Sequence, residues 1–145
     1  MRRAFLQNVT LGSRHAVVIT EGLLIYLNEQ TVVELANDLR EVPAFKRWLM
    51  DLCSPNIVAR MKRTYGPALA SAPMKFAPVN GAGFFEEHGW RASSIRPLFY
   101  EAIKHRRVPL WMRIAGRILP AANPRKPRGP WAAVIGYERS APAVG

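Results

Sequence analysis

Apolar and polar positions follow two periods along this chain, switching between the alternation of strands and the three-to-four spacing of helices. The most apolar short block is Ala16-Val17-Val18-Ile19. Four small and β-branched residues in a row predict a strand over 16–20 buried on both faces, as inside a parallel sheet. Asn28 then offers a side-chain cap and Glu29 an acid for the first turn of a helix over 29–40. Its buried face is Val32, Val33, Ala36 and Leu39, and Pro43 closes it. A second strand is expected over 47–52, entered through Phe45 and Trp48.

Ser54-Pro55 marks the next helix start. A serine hydroxyl can accept from the free backbone N–H groups of the first turn, and proline fits the first helical position because no N–H is needed there. That helix carries Ile57, Val58 and Met61 and ends near Tyr65-Gly66-Pro67. Residues 68–79, rich in alanine and proline, predict a loop or a short helical turn. Gly81-Ala82-Gly83 follows a proline-rich loop and lacks the third glycine of a phosphate-binding turn, so it reads as a helix start closed by a Gly89 cap. A third strand is expected over 90–95. Two amphipathic helices, 98–108 and 110–119, are broken at Pro109, and a turn-rich loop over 123–130 leads to a last strand over 131–139. Ahead of all this, Phe5, Leu6 and Val9 give one apolar stripe to a short helix within 1–12, ended by Gly12. No internal repeat is present.

The chemistry these elements offer lies at the end of the first strand. In open α/β sheets ligands bind at the carboxyl ends of strands, which places Glu21 and Gly22 where a site is expected. Asp51 also ends a strand, but Ser54-Pro55 beside it points to a turn role. His15, His88 and His105 have no metal-ligand spacing, and Cys53 is the single cysteine. A lone cysteine excludes an internal disulfide, fits a cytoplasmic setting and reads as a packing residue.

Thr20-Glu21-Gly22-Leu23-Leu24-Ile25-Tyr26-Leu27 resembles the fourth-strand motif of the leucine carboxyl methyltransferase-like enzymes, a family of S-adenosylmethionine-dependent class I methyltransferases. Three further pieces follow in the order of the bacterial members: Trp48-Leu49-Met50-Asp51-Leu52-Cys53-Ser54-Pro55, Phe76-Ala77-Pro78, and Gly83-Phe84-Phe85-Glu86-Glu87-His88-Gly89-Trp90. The likeness runs from about Val9 to Arg139. It implies an α/β fold, the carboxyl-terminal half of a class I methyltransferase sheet, with about four strands, flanking helices and an antiparallel last strand. It also implies S-adenosylmethionine as cofactor and a small-molecule or carboxylate methyl acceptor. By the same resemblance Glu21 would hydrogen-bond the methionyl amino group, Gly22 would let the backbone approach the cofactor, and Tyr26 would face the acceptor pocket. Residues 68–79 would form part of a lid. Without the resemblance, Glu21 reads equally as an acid paired with an arginine, and Tyr26 as a core aromatic.

The family's glycine-rich cofactor turn and ribose-binding acid have no counterpart here, since no G-x-G follows a strand. Residues 1–145 are therefore expected to form a single partial methyltransferase domain, with 1–12 a lead-in and 140–145 a loose tail. Without the preceding strands the 16–20 strand becomes an apolar edge, which favours association with a companion amino-terminal half or with a second copy.

Composition adds one further possibility. The net charge is +11, and between Ala102 and Pro130 eight lysines and arginines occur with no acid. Such a segment could solubilise the chain, or make it a non-catalytic basic binding module for nucleic acid or an acidic partner. Nucleic acid is not the expected partner, because base-stacking aromatics are missing from the segment: Trp111 is its one tryptophan and falls on an apolar stripe with Leu110, Ile114 and Ile118. No apolar run approaches the roughly 20 residues of a membrane span. The basic opening Met1-Arg2-Arg3 is followed by Gln7, Asn8 and Thr10, which interrupt any export signal.

Overall fold

The computed structural model describes residues 2–105, 107, 109, 123–125 and 129–140. Their order is α1 (Arg2–Val9), β1 (Ala16–Thr20), α2 (Glu29–Glu41), β2 (Phe45–Cys53), α3 (Pro55–Tyr65), α4 (Gly83–Glu86), β3 (Trp90–Pro97), α5 (Leu98–Lys104) and β4 (Ala132–Arg139), with 3-10 turns at Leu24–Tyr26 and Pro67–Leu69. The second expected amphipathic helix, 110–119, most of the basic segment and the 141–145 tail lie outside the described residues.

Both expected side-chain caps form. Asn28 accepts from the Thr31 N–H at 2.7 Å, and the Ser54 hydroxyl accepts from Ile57 at 3.4 Å. Buried Ser54 also ties distant segments together: its Oγ accepts from the Trp131 N–H at 3.0 Å, while its own N–H donates to the Trp131 carbonyl at 2.8 Å. One hydroxyl thus starts α3 and fixes where β4 begins.

The strands form an open sheet in the order β1-β2-β4-β3. β1 and β2 are parallel, and β4, last in the chain, runs antiparallel between β2 and β3. This is the α/β arrangement with an antiparallel final strand that the resemblance implies. One face of the sheet is tightly packed. Trp48, Met50 and Leu52 of β2, Trp90 and Ala92 of β3, and Ala133, Ile135 and Tyr137 of β4 are buried with Val32, Ala36 and Leu39 of α2. The Trp90 indole N–H donates to the Ala36 carbonyl at 3.0 Å, which pins α2 to the sheet. Phe84 and Phe85 of α4 complete an aromatic cluster of edge-to-face contacts: Trp48–Phe85 at 5.3 Å, Trp48–Trp90 at 5.6 Å and Phe84–Phe85 at 5.1 Å. Gly89, at φ +78°, turns the chain from α4 into β3, as its expected cap role requires.

Several expectations need correction. β1 is not buried on both faces: Val17 is 55% and Ile19 71% exposed. These two residues share the face of Arg47 and Leu49, their β2 partners, and among the described residues that face is left open at Val17 and Ile19. Only Ala16, Val18 and Thr20 turn toward the core. The apolar stripe of α1 is only partly used: Leu6 packs against the core, whereas Phe5 and Val9 are mostly exposed. Charge adds to Leu6 in docking α1 on α2: Arg2 Nε donates to Asp38 at 2.6 Å, and Arg3 reaches Asp38 at 3.3 Å and Glu41 at 2.6 Å. α5 ends at Lys104, where the His105 N–H bonds back to Glu101, and not at 108.

Candidate functional site

At the carboxyl end of β1 the chain makes a tight exposed turn. Thr20 is buried and its hydroxyl accepts from the Trp48 indole at 3.0 Å, so the last residue of the strand is held from below. Glu21 is exposed, and among the described residues no arginine pairs with it. Gly22 has φ +59°, a backbone conformation that side-chain-bearing residues adopt with strain. A Cβ there would meet nothing within 4 Å, so the glycine serves the turn and leaves open space above it.

Asp51 completes this turn, a role that the sequence alone did not assign to it. Its carboxylate accepts the Gly22 N–H at 2.8 Å. The expected turn role of Asp51 therefore exists, but it holds the turn after β1 and not the start of α3. The sequence carries only part of the signal, an acid near each of two strand ends, and the parallel pairing of β1 with β2 brings those ends side by side.

The 3-10 turn Leu24–Tyr26 comes next. Leu24 is its buried anchor at 1% exposure, and Tyr26 stands at 37%. The core position belongs to the leucine, so Tyr26 is not a core aromatic. The Ile25 carbonyl accepts two N–H groups from the 68–79 loop, Lys75 at 2.6 Å and Phe76 at 3.1 Å. Met74, Phe76 and Pro78 are buried, so this loop is fastened over the turn that presents Tyr26. Between the end of α3 and the same loop lies an apolar cavity of about 280 Å³, lined by Lys62, Gly66, Ala70, Pro73 and Met74.

Glu21, Gly22, Asp51 and Tyr26 thus lie at or just beyond one end of two parallel strands. The arrangement offers an unpaired carboxylate for a cation beside a backbone open to close approach. Cys53 is half-buried on the same strand as Asp51. Burial, followed by the Asp51 charge, pushes its thiol up and keeps it protonated, in line with a packing role. Among the described residues no group of histidine, cysteine, aspartate or glutamate could hold a metal ion. No helix among them is long and apolar enough to cross a membrane.

No protein-family model and no curated protein matches this sequence. Among solved structures the chain is similar to magnesium protoporphyrin IX methyltransferase from Synechocystis PCC 6803, crystallised with bound SAH. The two are 8% identical with a TM-score of 0.47, over 89% of this chain and 47% of that one. The chain therefore spans about half the length of that enzyme.

Proposed function

We propose that this chain is the acid-bearing part of an S-adenosylmethionine-dependent methyltransferase that methylates an oxygen, hydroxyl or carboxylate, of a small molecule. The observation that carries this reading is the Glu21-Gly22 turn, an exposed unpaired carboxylate beside an open positive-φ glycine at the carboxyl end of β1. The four sequence pieces of the leucine carboxyl methyltransferase-like family support it, and so does the antiparallel last strand that they imply.

In this reading the Glu21 carboxylate accepts from the methionyl ammonium, and Asp51 keeps the Gly22 backbone in the conformation that lets the cofactor come close. The cofactor supplies an already activated sulfonium methyl group, so the protein's task is positioning. Tyr26 faces the acceptor, and the loop fastened to Ile25 shapes the pocket around it. The glycine-rich turn for the rest of the cofactor has no counterpart in this sequence. A companion polypeptide segment, or a second copy, pairing along the free edge of β1 supplies it in this proposal.

Calorimetric titration of S-adenosylmethionine into the purified chain, with Glu21→Ala as control, tests this. Saturable heat that the substitution abolishes is the expected result. Binding indifferent to Glu21 would overturn its role, and absence of heat at millimolar ligand would overturn cofactor binding by this chain without a companion.

A further inference from the structure

At the opposite end of the strands from Glu21, the molecule carries a second concave surface of different chemistry. It is an open trough of about 510 Å³, lined by His15, Ala16, Val17, Lys46, Arg47, Glu138 and Arg139. Two features of the sheet build it. The first is a break in the β1–β2 register: Ala16 pairs with Phe45 but Val17 pairs with Arg47, so Lys46 is an extra residue opposite the junction. A bulge of this kind suspends the alternation of side chains and re-aims one of them. Lys46 and Arg47, consecutive in sequence, are accordingly both exposed and both line the trough.

The second feature is a gathering of like charges. Arg47 pairs with Glu138 across β2 and β4, and the next residues outward on the two strands, Lys46 and Arg139, both line the trough. Like charges gathered in one trough repel each other, and an anion between them relieves that repulsion. Glu138 is occupied by Arg47 at 3.3 Å. Among the described residues no carboxylate pairs with Lys46, Arg139 or His15.

We propose that this trough binds a small anion bearing two linked phosphoryl groups, as in pyrophosphate or a nucleoside diphosphate. The cations belong to β2 and β4, with His15 just ahead of β1, and neighbouring strands are about 4.8 Å apart. Two linked phosphates carry more charge and more oxygen acceptors than a single phosphate, and so serve Lys46 and Arg139 together more fully. Their oxygens accept charge-assisted hydrogen bonds from the guanidinium and ammonium groups.

The test uses the full chain at about 0.15 M salt, where exposed non-specific attraction is largely screened. Pyrophosphate, a nucleoside diphosphate and orthophosphate are titrated separately, followed by amide chemical shifts. Expected are saturable shifts at His15, Lys46, Arg47 and Arg139, with pyrophosphate binding tighter than orthophosphate. The nucleoside diphosphate arm tells a free pyrophosphate ligand from a nucleotide one by which binds tighter. Lys46→Ala and Arg139→Ala are each expected to weaken binding about tenfold or more, while Arg60→Ala, on the exposed side of α3, leaves it unchanged. Lys46 is exposed, so its removal tests the site even if Arg139→Ala perturbs the strand. Shifts that never saturate, equal weakening by Arg60→Ala, or saturation by oligonucleotide or acidic peptide but not by pyrophosphate would overturn the proposal.

Discussion

Gly22 is where backbone geometry and candidate chemistry meet. Its φ of +59° and its N–H bond to Asp51 are two halves of one constraint: the carboxylate holds the peptide in an orientation that only glycine adopts freely. Gly22→Ala is expected to cost about 1–2 kcal/mol through backbone strain alone, since the added methyl meets no neighbour. Thermal melts of the two proteins check this, and an unchanged midpoint would mean the turn relaxes without penalty. The Glu21-Gly22 pair was visible in the sequence because an acid and a glycine ending an apolar run is a local pattern. The Asp51–Gly22 bond was not, because it joins residues 29 apart. Only the pairing of β1 with β2 brings them together. Tyr26 shows the same limit: its neighbour Leu24 takes the core position, a choice between two apolar side chains that periodicity over so short a turn does not make.

At the scale of elements, those with their own termination chemistry were legible in the sequence. α2 and α3 begin where Asn28 and Ser54-Pro55 place them, because a capping side chain satisfies backbone groups within its own first turn. β1 was placed correctly but its surroundings were not. Four apolar residues in a row say nothing of whether a second layer exists to cover them. α1 docks through only Leu6 of its apolar stripe, with ion pairs to α2 supplying the rest. That mode has a pH signature. Burial tends to raise the Asp38 carboxyl, but hydrogen bonds and charges from Arg2 and Arg3 outweigh it and lower it on balance. A carboxyl depressed in the folded state contributes stability above its unfolded value of about 3.9 and loses that contribution as pH falls through the folded value. Docking of α1 is therefore expected to weaken on acidification below about pH 4. Amide shifts of residues 2–9 followed from pH 6 downward report it. Asp38→Asn should remove the acid-dependent step, and a step that persists in this variant would place the titrating group elsewhere.

For the whole molecule, the layering of the sheet governs behaviour in solution. One face carries the aromatic cluster. The other, at β1, leaves Val17 and Ile19 open beside an unpaired strand edge, with Leu23 also exposed at the following turn. Exposed apolar edges template further strands. The chain is expected to elute above its monomer mass in size-exclusion chromatography and to shift toward monomer with Ile19→Lys, which sets a charge on that edge. A monodisperse parent at high concentration would show that the edge is protected by other means. The open α/β class was legible in the order of elements, and the antiparallel last strand only through the family resemblance. The trough at Lys46 was not, because a bulge is a relation between two strands and leaves no mark in either one.

The position of β4 has a consequence for how the molecule is made. The strand at the middle of the sheet, with Ala133, Ile135 and Tyr137 all fully buried, is the last of the described elements in chain order. During vectorial synthesis β1, β2 and β3 leave the ribosome before the strand that joins β2 to β3 exists, and each waits with an open edge. Native pairing of that central seam is possible only when nearly every described residue has been translated. The nascent chain is thus a natural client for chaperones that shield strand edges, and translation speed through residues 100–139 sets how long that shielding is needed.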